Sequence, residues 1–288
     1  RFMKPCILYK KEKQGKVRCL ACSHKCLISE NDTGICGVRK NIKGRLYLLV
    51  YGKVAAMHVD PIEKKPLYHF LPGTNAFSVG TAGCNFKCLW CQNADISQIK
   101  PGIIFGKDIT PEEIVREALK TGCKSIAYTY NEPAIFAEFV KDTAEIARKN
   151  GLKNILVTNG YFSKESFDFL SDFVDAMNID LKSFSNATYK KYCRALFKPV
   201  LNSIKWAHEK GIHTEITTLV IPGLNDSDKE LEKIAKFISS IDKNIVWHIS
   251  RFFPMHKMTK KPATSIKTLR RAEAIGKKYL NYVYLGNV

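Results

Sequence analysis

The chain has 288 residues, 45% of them hydrophobic, so it is long enough to bury a large core in one main domain. Its 46 Lys and Arg outnumber 27 Asp and Glu, and the net charge of +19 favours polyanions such as RNA or an acidic protein, although a solvated lysine-rich surface gives the same count. No apolar run approaches the roughly 20 residues that cross a bilayer and no signal-peptide pattern opens the chain, so we expect a cytoplasmic protein without a membrane segment.

Ten cysteines form two groups and three single residues. Because the cytosol keeps thiols reduced, grouped cysteines there indicate metal or redox chemistry rather than disulfides. The single residues Cys6, Cys123 and Cys193 are expected to be buried as small hydrophobic side chains.

Residues 1–75 are predicted to form a small cysteine-rich accessory domain. Four thiols, with His24 among them, are enough for a closed metal site on a short segment: Cys19, Cys22, Cys26 and Cys36. We expect structural zinc there, and an auxiliary iron-sulfur cluster is the alternative because the ligand chemistry overlaps. Two β-like runs follow, 45–51 and 53–59, and the prolines in 60–73 predict an extended connection.

From residue 76 onward, short apolar runs alternate with amphipathic stretches, which predicts repeated β-α units and a parallel sheet. Six strands are expected near 76–81, 125–130, 154–158, 176–181, 213–221 and 245–251, with a further run at 282–285. Two helix starts fit a capping box, Thr110 with Glu113 and Ser227 with Glu230. Six units are fewer than the eight of a closed barrel. The predicted fold is therefore α/β, a partial (β/α)6 TIM-like barrel over 76–288, with its active site at the carboxyl ends of the strands.

A loop with three cysteines follows directly after the first of these strands. Cys84, Cys88 and Cys91 lie within it, and a structural zinc ion would need a fourth ligand that the loop lacks. Three thiolates can instead bind three irons of a four-iron cluster and leave the fourth iron open to another ligand. A redox or zinc-binding cysteine loop is the competing interpretation.

The C-x3-C-x-aromatic-C spacing, with Trp90 before the last cysteine, resembles the signature of the radical S-adenosylmethionine (SAM) superfamily. The cysteine quartet, the stretch 60–70, Cys91-Gln92-Asn93 and the ending 284–287 together resemble AmmeMemoRadiSam-system radical SAM proteins, which are similar to pyruvate formate-lyase activating enzyme. The resemblance implies a 4Fe-4S cluster on Cys84, Cys88 and Cys91 that cleaves SAM to methionine and a 5′-deoxyadenosyl radical. It also implies a reductant such as ferredoxin or flavodoxin.

Polar residues at the ends of the second and third strands are candidates for holding SAM. Glu132, after Asn131, places a carboxylate where the SAM ammonium would bind, although either residue ahead of Pro133 would also cap a helix. Thr158 and Asn159 end the third strand and suit hydrogen bonds to a ribose or carboxylate, or an ordinary turn.

The fourth and fifth strands also place polar residues on one face. Asp180 and Lys182 either pair with each other or face bound ligand, and the resemblance favours the ligand because the activating-enzyme branch has an Asp-Leu-Lys segment at this strand. His213 and Glu215 share a face of the fifth strand, where a core role and a functional role are both open.

Four further residues complete the predicted cofactor-binding set. Trp90 and Asn93 belong to the cysteine loop, Val220 is expected to border the adenine, and Arg251 is expected to meet the SAM carboxylate or the substrate.

Three functions follow from these patterns. The first is a radical SAM enzyme that abstracts hydrogen from an unidentified substrate, such as a glycine of a partner protein. The second is an RNA-modifying radical SAM enzyme, in line with the +19 charge. The third is a zinc-stabilised basic protein that binds nucleic acid without catalysis.

Overall fold

The N-terminal region is built from short antiparallel strands. The computed structural model describes residues 3–288. The strands of this region are β1 (Lys4–Pro5), β2 (Tyr9–Lys11), β3 (Val17–Cys19), β4 (Leu27–Ile28), β5 (Arg39–Ile42), β6 (Arg45–Leu48), β7 (Lys53–Val54) and β8 (Ala56–Pro61). One three-stranded sheet has the order β1-β6-β5 and a second has the order β2-β3-β4. The β-like runs expected at 45–51 and 53–59 therefore contain β6, β7 and part of β8.

An eight-stranded sheet forms the centre of the molecule, in the order β16-β15-β14-β13-β12-β11-β9-β8. The strands of this sheet that follow β8 are β9 (Asn75–Gly80), β11 (Ser125–Tyr128), β12 (Lys153–Thr158), β13 (Ala176–Asp180), β14 (His213–Val220), β15 (Val246–Arg251) and β16 (Val283–Gly286). The short strand β10 (Lys107–Asp108) lies outside this sheet and pairs with β7. Seven neighbouring strands run parallel and β8 runs antiparallel to β9. Within residues 3–288 the edge strands β8 and β16 do not pair with each other. The predicted partial α/β barrel is confirmed.

Helices connect successive parallel strands. They are α1 (Ala94–Ser97), α2 (Pro111–Lys120), α3 (Ala137–Lys149), α4 (Lys164–Ser171), α5 (Asn186–Thr188), α6 (Lys198–Glu209), α7 (Asp228–Ile241) and α8 (Ile266–Gly276). The capping box predicted at α2 is confirmed, since Thr110 and Glu113 bond each other's backbone N–H. Of the capping box predicted at α7, the Ser227 cap is present and the return bond from Glu230 is wrong. Ser227 caps the helix, but the Glu230 carboxylate accepts hydrogen bonds from Ser183 and from the Phe184 N–H.

The segment 62–74, which we call the floor segment, crosses the amino ends of the barrel strands. It begins with a 3₁₀ turn at Ile62–Lys64 and connects β8 to β9. Ile62 and Leu67 are fully buried in an apolar cluster with Ala76, Ala127, Ile155 and Ala176 of four strands. The Pro66 carbonyl accepts a hydrogen bond from Asn178 on β13. The connection expected at 60–73 therefore closes one end of the barrel.

A buried ion pair joins the N-terminal region to the barrel. Arg39 of β5 and Glu138 of α3 are each 1% exposed, and Arg39 also donates to the Ile135 carbonyl at 2.8 Å. The other side of the carboxylate accepts the Ile7 N–H at 3.0 Å. Because β8 also belongs to the barrel sheet, the N-terminal region contributes to the main core, and a domain boundary at residue 75 stays a prediction.

Candidate active site

The three-cysteine loop lies at the carboxyl end of β9, between that strand and α1. Cys84 and Cys88 are each 8% exposed, and Cys91 is half-buried. The Phe86 N–H donates to the Cys84 sulfur at 3.4 Å, and the Ser97 hydroxyl lies 3.0 Å from the Cys91 sulfur. Hydrogen bonds to sulfur are common around metal-binding thiolates. The donor set therefore fits the cluster that the sequence predicted.

Residues after β11 hold this loop in place. The Asn131 amide donates to the Thr81 hydroxyl at 3.0 Å and to the Gly83 carbonyl at 2.9 Å. Asn93, which precedes α1, donates from Nδ2 to the Tyr130 carbonyl at 2.7 Å. Tyr130 has a left-handed φ of 69°, a conformation unusual for a residue with a side chain. In this structure Asn93 and Asn131, both predicted to bind cofactor, position the cysteine loop.

Glu132 is a fully buried carboxylate at the mouth of the barrel. It accepts hydrogen bonds from the Thr158 hydroxyl at 2.8 Å, from the Asn159 N–H at 2.8 Å and from the Ala134 N–H at 3.0 Å. The bond to Ala134 caps a 3₁₀ turn at Pro133–Phe136, so the predicted helix-cap role is present. Burial raises the pKa of Glu132 to about 7, against the opposing effect of these donors. The structure thus brings together three predicted residues, Glu132, Thr158 and Asn159.

Asp180 and Lys182 form an ion pair of 2.7 Å beside Cys88. Burial alone would lower the pKa of Lys182, but Asp180 holds it well above its usual value, so the ammonium stays charged. The Cys193 thiol, hydrogen-bonded to Cys88, lowers the pKa of Cys88. Cys193 was expected to be only a buried hydrophobic residue. It is fully buried, and it also contacts the cysteine loop.

Val220 at the end of β14 and Arg251 at the end of β15, both predicted to bind cofactor, contact Thr264. The Thr264 hydroxyl donates to the Val220 carbonyl at 2.6 Å, and Arg251 donates from Nε to the Thr264 carbonyl at 2.8 Å. The Arg251 guanidinium also lies over the Phe253 ring, 4.8 Å from its centroid.

Trp90 of the cysteine loop, which was also predicted to bind cofactor, is 4% exposed. Its ring packs near the ring of Tyr192.

His213 and Glu215 lie at the opposite end of the barrel from the cysteine loop. Both are in the first three residues of β14, at its amino end. Glu215 accepts hydrogen bonds from the Tyr68 and His69 N–H groups at 3.0 and 2.8 Å, and from His213 and His248. Burial raises its pKa, but the donors together hold it at about 2. The structure thus places His213 and Glu215, both predicted to bind cofactor, away from the cysteine loop, where Glu215 fastens the floor segment.

The predicted metal quartet lies together in the N-terminal region. All four thiols line one cavity: Cys19, Cys22, Cys26 and Cys36. Asn85, which directly follows Cys84, lines the same cavity. Among residues 3–288, no three His, Cys, Asp or Glu side chains stand close enough together to share a single metal ion.

Sequence reasoning missed Asn85 and Cys193. Asn85 lies inside the cysteine motif, so its position was available, but nothing in the spacing indicated which way its amide turns. Cys193 lies at the end of a π-helical turn, Tyr189–Cys193, whose carbonyls accept the Lys87 and Leu89 N–H groups. That contact joins segments far apart in sequence, and no local pattern predicts it.

Comparisons with known proteins agree with this geometry. The model of the radical SAM superfamily matches residues 78–238. An uncharacterised protein of Methanocaldococcus jannaschii is 45% identical over 99% of this chain and 86% of its own length. A putative glycyl-radical enzyme activating enzyme of the same organism is 28% identical over 70% of this chain and 77% of its own length.

Among solved structures, a radical SAM methyltransferase from Sphaerobacter thermophilus has a similar fold. The TM-score is 0.57 at 15% identity, over 75% of this chain and 67% of the other. At that identity the likeness concerns the fold alone. In residues 3–288, no helix combines the length and the apolar character needed to cross a membrane.

Proposed function

Because this chain belongs to the radical SAM superfamily, we propose that Cys84, Cys88 and Cys91 bind a 4Fe-4S cluster whose fourth iron binds SAM. The observation that carries this proposal is the position of the three thiols on one loop at the carboxyl end of the first parallel strand. When bound and reduced, the cluster supplies the electron that cleaves SAM into methionine and a 5′-deoxyadenosyl radical. The family assignment leaves the non-enzymatic nucleic-acid-binding alternative without support.

The chain's own residues would bind and orient SAM beside the cysteine loop. Glu132 in its charged form would accept hydrogen bonds from the SAM ammonium. Thr158 and Asn159 hold the Glu132 carboxylate in place. Lys182, charged and paired with Asp180, offers a cation for the methionine carboxylate. Val220 and Arg251 would border the opposite side of the site. These roles rest on position at the mouth and on the charge of each group.

We further propose that the substrate is a glycine of a partner protein. The relative from Methanocaldococcus jannaschii that is named a putative glycyl-radical enzyme activating enzyme supports this choice. A one-electron donor such as ferredoxin or flavodoxin would reduce the cluster. The test is electron paramagnetic resonance of candidate partner proteins after turnover. A doublet from a glycyl radical is expected, and its absence with every candidate would count against a glycine substrate.

A second candidate is an RNA substrate, which the net charge of +19 favours. Binding through phosphates would weaken steeply as salt is raised. Transfer RNA that binds with no salt dependence, or does not bind, would remove this candidate.

The first prediction concerns the cluster itself. Cys84→Ala, Cys88→Ala and Cys91→Ala should each abolish formation of 5′-deoxyadenosine from SAM, because two thiolates cannot hold the cluster in the same way. The measurement is product formation after anaerobic reconstitution and reduction, with far-UV circular dichroism as the check of folding.

Cys123→Ala is the matched control, since Cys123 is also buried and, among residues 3–288, its thiol has only the Thr121 hydroxyl as a hydrogen-bond partner. It should keep full activity. Normal turnover by any one of the three loop variants would overturn the proposed cluster ligands.

A further inference from the structure

The cysteine quartet and the active-site loop are in direct contact. Gly83, which precedes Cys84, has a φ of +89°, and a Cβ there would lie 2.6 Å from the Cys36 carbonyl oxygen. Only glycine leaves room for this approach. His24, between two quartet cysteines, bonds the Asn85 carbonyl at 2.9 Å. The cavity lined by the quartet therefore shares a wall with the loop at the mouth of the barrel.

Asn85 is the side chain that lies between the two cysteine groups. It is fully buried, and its Nδ2 has no hydrogen-bond partner among the described residues. A buried amide N–H without an acceptor costs free energy, so its presence calls for an acceptor.

The orientation of the Asn85 amide follows from its neighbours. The Tyr161 backbone N–H donates to Asn159 Oδ1 at 3.0 Å, and a backbone N–H can only donate. Asn159 must then present Nδ2, which donates to Asn85 Oδ1 at 2.8 Å. The Asn85 oxygen is therefore occupied, and the end that lacks a partner is the NH₂ group of a residue that lines the quartet cavity.

The spacing of the quartet thiols bears on which metal they take. A tetrahedral zinc site, with Zn–S bonds of about 2.3 Å, would bring its sulfurs to about 3.8 Å from one another. The quartet thiols line one cavity, yet among residues 3–288 no three donors converge on a single ion. In an iron-sulfur cluster each iron takes only one or two of the thiolates, so no three of them need to approach a single ion. Inorganic sulfide also places hydrogen-bond acceptors inside the cavity, where the Asn85 amide needs one.

We propose that Cys19, Cys22, Cys26 and Cys36 bind a second iron-sulfur cluster, and that Asn85 Nδ2 donates a hydrogen bond to it. This reverses the preference for zinc that the sequence alone gave. The inference does not depend on SAM cleavage, because the quartet is complete without the active-site loop.

The test uses the full chain with Cys84, Cys88 and Cys91 all replaced by Ala, which removes the first cluster and with it any turnover. After anaerobic reconstitution, iron, acid-labile sulfide and zinc are counted per chain. Iron and sulfide in equal amounts, about two or four of each, are expected. One zinc per chain, or no metal at all, would overturn the proposal.

Two variants in that background make the assignment specific. Cys36→Ala should lose the remaining iron, whereas Cys123→Ala should keep it. Asn85→Leu should retain the iron but shift the reduction potential of the cluster to lower values, because an N–H donor to sulfur stabilises the reduced, more negative state. An unchanged potential and unchanged electron paramagnetic resonance spectrum would overturn the role given to Asn85.

Discussion

Glu132 and Glu215 are both fully buried carboxylates, yet their pKa values shift in opposite directions. Glu215 accepts four hydrogen bonds, two of them from histidine rings, and they outweigh burial and hold its pKa at about 2. In the described part of the chain, residues 3–288, no cationic side chain bonds Glu132, so burial prevails and raises its pKa to about 7. The hydrogen bonds to Glu215 already stabilise its charged form. We expect the charged form of Glu132 to be stabilised when a cation binds beside it.

The second prediction follows from the pKa of Glu132. In the folded chain its proton is retained up to about pH 7, whereas the unfolded chain loses it near 4.5, so its contribution to stability falls as pH rises between these values. The SAM ammonium binds the charged form, so the affinity for SAM should rise between pH 6 and 7.5, by up to about tenfold per unit below the pKa. Isothermal titration of the cluster-loaded enzyme measures this.

Glu132→Gln should bind SAM weakly and with no such pH dependence. An identical pH profile in both proteins would show that Glu132 does not receive the ammonium. Glu209→Gln, at an exposed position at the end of α6, is the control for loss of a carboxylate.

At the scale of elements, two helices that look alike in sequence use the same position differently. Glu113 of α2 and Glu230 of α7 each lie three residues after the capping residue. Glu113 turns back to its own helix, and Glu230 turns to the loop after β13, where it holds Ser183 and Phe184 directly after Lys182. Helix α7 thus helps position the loop after β13, next to Lys182.

The third prediction compares these two residues. Glu113→Ala should lower the free energy of unfolding by about 1 kcal/mol and leave the Kd for SAM unchanged, because it removes only part of a cap. Glu230→Ala frees the loop next to Lys182 and should raise the Kd severalfold. Equal Kd values for the two variants would contradict the positioning role of Glu230.

At the scale of the whole molecule, the buried Arg39–Glu138 pair joins the N-terminal region to the barrel, so we expect the two to unfold together. Both side chains are removed from solvent, and Glu138 also holds the backbone between β1 and β2 through the Ile7 and Leu8 N–H groups. Removing one partner leaves a buried charge without compensation, which typically costs about 3–5 kcal/mol.

The fourth prediction is that Arg39→Met lowers the free energy of unfolding by about that amount, measured by urea denaturation. The double variant Arg39→Met/Glu138→Leu should recover most of the loss. Lys164→Met, which breaks an exposed pair with Asp168, is the control and should cost less than about 1 kcal/mol. An Arg39→Met loss as small as the control's would show that the two parts fold separately.

Local patterns predicted what depends on local chemistry. The parallel strands appear as short apolar runs, and Cys84, Cys88 and Cys91 lie so close in sequence that one loop presents them all. Contacts between distant segments could not be predicted, because alternation along β14 gives His213 and Glu215 a common face but not the partner that meets it. The two backbone N–H groups that Glu215 binds lie 146 and 147 residues away. For the same reason the contact between Cys193 and the active-site loop could not be predicted.

The floor segment has a kinetic consequence. Because the floor segment covers the amino ends of the strands, we expect ligands to reach the candidate site through the mouth of the barrel. SAM and a macromolecular substrate would then share one entrance, and a substrate docked over it would enclose whatever had bound first. Binding is therefore expected to be sequential, SAM before substrate, with methionine and 5′-deoxyadenosine released only after the substrate has dissociated.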